Sequence, residues 1–266
     1  MTRALLRTGG MLLLALALAG CSLWHFDFGR AHTAQDDVTA AQRALKQRRW
    51  PVAIARAEQA VAQDGSDGDR RALLATAYLR AGRFRSAAQA FDDTLALRQA
   101  DAATALHLAL AQIASGQHDA AQATLSRYAA LIPAADRGLA LALAGQPGQG
   151  VEVLMAAMRV PGADARTRQN LAMALALAGE WPDALFLVGL DLPPAQARQR
   201  ILGWMRFARP TGPAEQVAAL MKITPALDPG QPEALALQRP APAALADADI
   251  DRFMPGPPEE AVTTAR

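Results

Sequence analysis

"LLATAYLRAGRFRSAAQAF" occupies residues 73–91, and its shape returns twice, as "HLALAQIASGQHDAAQATL" at 107–125 and "NLAMALALAGEWPDALFLV" at 170–188. Each is an apolar stretch, then a glycine, an aromatic or histidine two places later, and an alanine three further on. The glycines are Gly82, Gly116 and Gly179. Gly116 follows Gly82 by 34 residues, and Gly145, in "LALALAGQPGQG", precedes Gly179 by 34. Counting back 34 from Gly82 reaches Arg48, in "LKQRRWPVAIARAEQAV", where the same shape carries Arg in place of Gly. The chain is rich in Ala and Leu and poor in Ile and Tyr, which favours helix throughout. The expectation is an all-α chain built from a repeated unit.

A 34-residue unit with a mid-point break is the tetratricopeptide pattern, two antiparallel helices per repeat stacked into a superhelix. Leu74, Ala75 and Tyr78 fill its first-helix positions, and Ala87 and Phe91 its second-helix positions. Ala75, Ala109 and Ala172 are small enough for paired helices to approach closely. Glycine at the break accepts positive φ after the first helix. Repeats are placed at 34–67, 68–101, 102–135, 136–164 and 165–198. The fourth is short, because Gly145 stands only 29 residues after Gly116. Its first helix is expected over about Asp136 to Ala144 and its turn "GQPGQG" to be loose, as a flexible joint or a degenerate repeat. Trp50-Pro51 and Trp181-Pro182 share one register, with proline in the first helical turn, where no N–H is needed.

A repeat array needs a cap with a polar outer face. Capping helices are expected over 199–224, with Ile201, Trp204, Met205 and Ala208 on one stripe, and a second helix starting after Thr211-Gly212-Pro213. Residues 225–266 hold eight prolines and no sustained period. That composition predicts a disordered or loosely docked tail, with one short helix in "AALADADIDRFM".

At the other end stands "LALAGCSLW", residues 16–24, with the only cysteine of the chain, Cys21. Arg3 and Arg7 precede nine apolar residues from Met11 to Ala19, too few for the roughly 20 that cross a bilayer. A basic start, a short apolar run and a small-residue exit read as a secretory signal peptide over 1–20. Leu18-Ala19-Gly20-Cys21 resembles the lipobox of bacterial lipoproteins, in which the thiol receives diacylglycerol and the signal is cut before it. Several acyl chains exceed what stable membrane anchoring requires. Residues 21–33 then form a lipidated spacer, and Ser22, rather than Asp, favours the outer membrane by the same resemblance.

Without Arg3 and Arg7 the chain carries 25 basic and 25 acidic residues. The formal +2 therefore reflects the leader. No basic run and few aromatics are present, so nucleic-acid binding is not expected. The four histidines, His25, His32, His107 and His118, show no metal-ligand spacing, and neither a nucleophile elbow nor a phosphate loop appears. His118 stands where Phe84 and Trp181 stand in other repeats, which reads as packing. Asp36-Asp37 and Asp92-Asp93 read as solvated helix positions. No catalytic, metal, cofactor or small-molecule site is expected. First helices of such arrays line a groove, and the inward positions map to Gln42, Lys46, Thr76, Arg80, His107, Leu110, Asn170 and Met173. That mixed surface suits a helix or extended peptide, with inter-repeat packing as the plainer alternative for each residue. Asn170, the one asparagine, either bonds a peptide backbone in the groove or ties two helices together.

The lipobox, the repeats and the stretch "RTRQNLAMALALAGEWPDALFLVGLDLPPAQARQRILGWMRF" resemble the TadD-like tetratricopeptide lipoproteins of the tight-adherence (Tad/Flp) pilus assembly system. Gln169-Asn170-Leu171-Ala172, the run to Gly179 and Asp191-Leu192-Pro193 carry most of the likeness, which covers residues 1 to about 209. The short fourth repeat and the Pro-rich tail depart from the pattern. The resemblance implies an outer-membrane lipoprotein facing the periplasm, with a secretin or another pilus-assembly component as protein partner. Scaffolds for outer-membrane-protein insertion, cell division or another pilus are the rivals of the same class. A peptidoglycan-acting enzyme is the remote one.

Overall fold

The computed structural model describes residues 33–210 and 212–238. The leader, Cys21, the spacer up to residue 32 and the tail from residue 239, including "AALADADIDRFM", lie outside the described residues. Within them the chain is all helical, with no strand. The helices come in pairs: α1 (Ala34–Lys46) with α2 (Trp50–Gln63), α3 (Gly68–Arg80) with α4 (Phe84–Leu97), and α5 (Ala102–Ala114) with α6 (His118–Arg127). There follow α7 (Ala134–Leu143) with α8 (Pro147–Met158), and α9 (Ala165–Ala178) with α10 (Trp181–Gly189). Then come α11 (Pro194–Phe207), α12 (Ala214–Met221) and a single 3-10 turn, Glu233–Leu235. Second helices pack on the next first helix, and α1 neighbours α3 as α5 neighbours α7 and α7 neighbours α9. This is an α-solenoid of the tetratricopeptide type.

Two local signals set the period. Thr33, Asp67 and Asp101, spaced by 34, each cap a first helix by accepting from its free amides, and Asp164 does the same for α9. Such a cap is worth about 1 kcal/mol. At the mid-repeat break Gly82, Gly116, Gly145 and Gly179 take φ from +75° to +89°. The next amide then donates back to a carbonyl five residues earlier, as from Arg83 to Tyr78 at 2.9 Å and from Glu180 to Leu175 at 2.9 Å. Arg48 takes the same left-handed conformation, φ +56°, without being glycine.

The turn expected to be loose is not. Gln146 N–H donates to Leu141 O at 2.9 Å, as in its counterparts, and Pro147 opens α8 where its missing N–H is no loss. The shortening lies in α6 and α7, ten residues each, rather than in α7 alone, and α7 starts at Ala134. There α7 and α8 touch backbone to backbone: a Cβ on Gly150 would stand 2.5 Å from Gly138 O.

Alanine dominates the seams. Ala41, Ala53, Ala57, Ala75, Ala87, Ala109 and Ala121 are fully buried, around Leu74, Tyr78, Phe91, Ile113 and Leu125. A smaller cluster of Ala172, Ala184, Val188, Ala197 and Ile201 closes the far end. On α11 the expected stripe is turned slightly. Ala197, Ile201 and Trp204 face the array and Met205 faces out, because spacings of four and three keep one face and the next residue steps about 100° off it.

Three expectations about polar residues need correction. Asp37 is 1% exposed and accepts from Arg56 at 3.0 Å and Gln63 at 2.9 Å. Asp93 is 6% exposed and pairs with Arg71 at 3.0 Å. The second acid of each pair turns into the seam between helices, where a cation or amide meets it. His118 is exposed rather than packed, unlike Phe84. An imidazole at that register gains little from burial without a partner.

The largest departure follows α11. The chain doubles back instead of capping the end. Helix α12 lies on α5, and its Val217 and Ala218 join the main core. Pro213 passes Gly116, and Ala226 N–H donates to Gly82 O at 3.1 Å. Residues 225–238, expected to be disordered or loosely docked, run on as a bonded strap.

Candidate functional site: a cleft beside a strap

The strap is held by Arg71 of α3, by Arg83 at the break before α4, and by residues of α4. Asp228 is its first anchor. Its carboxylate accepts from Ser86 N–H at 2.7 Å, Ser86 Oγ at 2.5 Å and Gly230 N–H at 3.1 Å, with Arg83 Nε at 3.4 Å. Arg83 also donates to Gly230 O at 3.1 Å and lies 4.6 Å over the Tyr78 ring. Tyr78 in turn donates to Glu58 at 2.6 Å, and burial together with that carboxylate pushes its pKa far up. The second anchor is the Arg71–Asp93 pair. Arg71 Nη1 donates to both Asp93 and Leu235 O, the latter at 2.8 Å. Asp93 further accepts from Gln231 Nε2 at 3.0 Å and Leu237 N–H at 3.3 Å. Gln89 Oε1 accepts from Gln231 N–H at 2.8 Å. An extended segment is thus read through its main chain, the Asp228 carboxylate and the Gln231 amide.

Burial raises the Asp228 pKa, but the hydroxyl and amide bonds from Ser86 outweigh it and hold the carboxyl below its usual 3.8. The anchored form is therefore fully present above pH 3.8 and is lost as pH falls through the lower folded value. Asp228→Asn should cost about 2 kcal/mol at pH 7. In urea unfolding, the gap between wild type and variant should narrow as pH falls below 3.8 and on through the lower folded value. An unchanged gap at pH 3 would remove the carboxylate from this role.

Of the positions read as a groove, Lys46, Thr76 and Arg80 come together. They line a cleft of about 970 Å³ with Leu45, Arg48 and Trp50 on one side and residues 221–226, from the end of α12 into the strap, on the other. Thr76 Oγ1 is turned to its own helix, donating to Ala72 O at 2.8 Å. Gln42 is exposed on α1, and Met173 is half-buried on α9. His107 packs its ring 5.6 Å from that of Phe91. Burial and the nearby Arg80 both lower its pKa, so it is neutral at pH 7. Leu110 faces α12 across a small cavity shared with Leu106, Leu139, Val217 and Met221. Asn170 ties helices together, donating to Ala135 O at 3.0 Å. Its neighbours also join elements. Arg168 and Gln169 both donate to Asp191, which holds that carboxyl below its usual range. The stretch that carries the family resemblance is thus a brace between α9 and the start of α11.

Sequence reasoning missed Arg71, Arg83, Ser86 and Asp228. Arg48 was visible, as the one break without glycine. Asp228-Pro229-Gly230 reads as a turn, but no local pattern says where that turn docks. Beyond the strap, Leu185, Phe186, Leu190 and Leu202 are exposed at the far end of the array. Among the described residues no cluster of histidine, cysteine or carboxylate groups is placed to hold a metal ion. No described helix is long and apolar enough to cross a membrane.

No protein-family model matches the chain, and no curated protein matches it. Solved structures similar to it include "MamA 41-end from Desulfovibrio magneticus RS-1", 18% identical over 65% of this chain and 95% of that one, with a TM-score of 0.49. Another is YrrB, "a TPR protein with an unusual peptide-binding site", 16% identical over 59% and 84%, TM-score 0.47. A third is PilW, a "widely conserved type IV pilus biogenesis factor", 16% identical over 71% and 92%, TM-score 0.49. Likeness at this level carries no argument about what the chain does, and the fold stands on its own helix geometry.

Proposed function

We propose that the protein is a lipid-anchored scaffold that holds segments of other proteins on its helical array. One observation carries this reading. The array already holds two such segments of its own chain, a helix on α5 and an extended stretch bonded along α4. Both are standard ways of recognising a peptide. The client on this reading is a secretin or another component of a Tad/Flp-type pilus machine. The protein faces the periplasm from the outer membrane, with Cys21 as the lipidated residue. The lipobox and the stretch 166–206 support that finer reading, both by resemblance. A lipid anchor would raise the effective concentration of the array near a membrane-embedded client.

Two measurements test it. Cys21→Ser should move the protein from the membrane to the soluble envelope fraction, and full retention after a salt wash would end the anchor argument. Deleting the gene should remove secretin multimers and surface fibrils, restored by wild type and poorly by Cys21→Ser. Normal secretin and fibrils in the deletion strain would remove the pilus assignment.

A further inference from the structure

We infer that the cleft between α1, α3 and the strap is a binding site for an acidic peptide segment of a partner protein, a proposal that rests on the scaffold reading and names the chemistry of its client. The lining holds Lys46, Arg48, Arg80 and Lys222 and no carboxylate. Lys46 and Lys222 are the only lysines of the chain, and they come from opposite ends of it. All four cations are exposed or half-buried, and none has an ion-pair partner among the described residues. The chain without its leader carries equal numbers of acids and bases, so this is a local concentration of charge, not a reflection of a basic protein.

The backbone adds an independent observation. Among the described residues two that are not glycine take positive φ, Arg48 at +56° and Lys222 at +54°. Both line this cleft. The left-handed conformation is unfavourable for a residue with a side chain, and the other mid-repeat breaks use glycine to avoid it. Strained positions of this kind concentrate where a surface binds. At this one break the chain keeps a guanidinium instead of relaxing the turn.

The shape favours a peptide over a flat anionic surface. Leu45, Trp50, Met221 and Ile223 alternate with the cations around a recess of about 970 Å³, which suits a few residues that mix carboxylates with an apolar side chain. Lys46 and Arg80 approach from the array and Lys222 from the end of α12, where the chain runs on into the strap, so the returning segment completes the site.

The test uses the purified full chain and a fluorescein-labelled nine-residue peptide of alternating aspartate and leucine, with an asparagine-for-aspartate control. Fluorescence anisotropy should give binding of the acidic peptide only, weakening as salt rises. Lys46→Gln with Arg80→Gln should weaken it at least tenfold with the helical signal and melting temperature unchanged. Arg48→Gly should raise the melting temperature by relaxing the turn, yet weaken binding several-fold, a combination that a purely structural role does not produce. Equal binding of both peptides, or indifference to these substitutions, overturns the inference. So does binding that appears only when Asp247, Asp249 and Asp251 are changed to Asn, since the chain's own tail would then be the occupant. Cleft-dependent binding to vesicles of three parts phosphatidylcholine to one part phosphatidylglycerol, without peptide binding, overturns it in favour of a membrane. Secretin co-purification that survives Lys46→Gln with Arg80→Gln would sink the cleft and leave the scaffold reading standing.

Discussion

Arg71→Met is expected to lower the stability of the chain by about 3–5 kcal/mol, the usual consequence of removing one partner from a buried ion pair. Arg71 is 3% exposed and Asp93 6%. The guanidinium meets Asp93, Leu235 O and, through Nε at 2.6 Å, Gly65 O. Methionine fills part of the volume but removes the Arg71 charge from beside the buried Asp93 carboxylate and the donors from two carbonyls. The effect is therefore desolvation, not lost packing. The double variant Arg71→Met with Asp93→Leu should recover most of the loss, because an apolar pair of similar volume often matches a buried ionic one. It should not recover the strap, whose Leu237 N–H and Gln231 lose Asp93. Urea unfolding of the three proteins, with limited proteolysis of the strap, checks both halves. A single variant within about 1 kcal/mol of wild type would mean the pair is open to water.

A matched set of alanine substitutions separates the cost of the repeat turn from the cost of displacing the strap. Gly179→Ala meets open space, so it pits only the left-handed conformation against the lower entropy of the unfolded chain, a net of about 1 kcal/mol. Gly82 has a similar φ, +75°. Here an added Cβ would stand 2.1 Å from Thr224 O and 3.0 Å from Pro225 Cα. Both neighbours are backbone, so the strap must leave its seat. Its departure uncovers Asp93 and the Ser86 hydroxyl. Gly82→Ala should therefore cost about 3 kcal/mol or more, from steric displacement added to the turn penalty. It should also expose residues 224–237 to protease, while Gly179→Ala leaves them protected. Equal effects at the two glycines would mean that the strap does not cross the array at Gly82.

The contrast between these glycines shows what a linear reading reaches. Gly82 and Gly179 were legible as turns because the turn is local: apolar spacing, a break and an alanine lie within one repeat. The alanine seams followed from the same period. What crosses Gly82 was not legible, because Thr224 is 142 residues away and sits in a stretch with no period. The buried acids failed for a related reason. Asp37 and Asp93 look like surface charge until Arg56 and Arg71 are seen to reach them from neighbouring helices. The groove positions were only partly useful. Lys46, Thr76 and Arg80 share a cleft, but Lys222, on its other wall, belongs to a segment read as lying beyond the array.

The strap also imposes an order of events. Every helix pair of the array closes over short sequence distances and can form as soon as it is made. The bonds from Asp228 to Ser86 and from Arg71 to Leu235 O span 142 and 164 residues. Synthesis runs from the amino end, so these bonds can form only once the chain has been made past residues 228 and 235. Until then the first pairs stand with Asp93, Ser86 and the seat at Gly82 uncovered. A chain cut short before residue 228 thus leaves that surface bare.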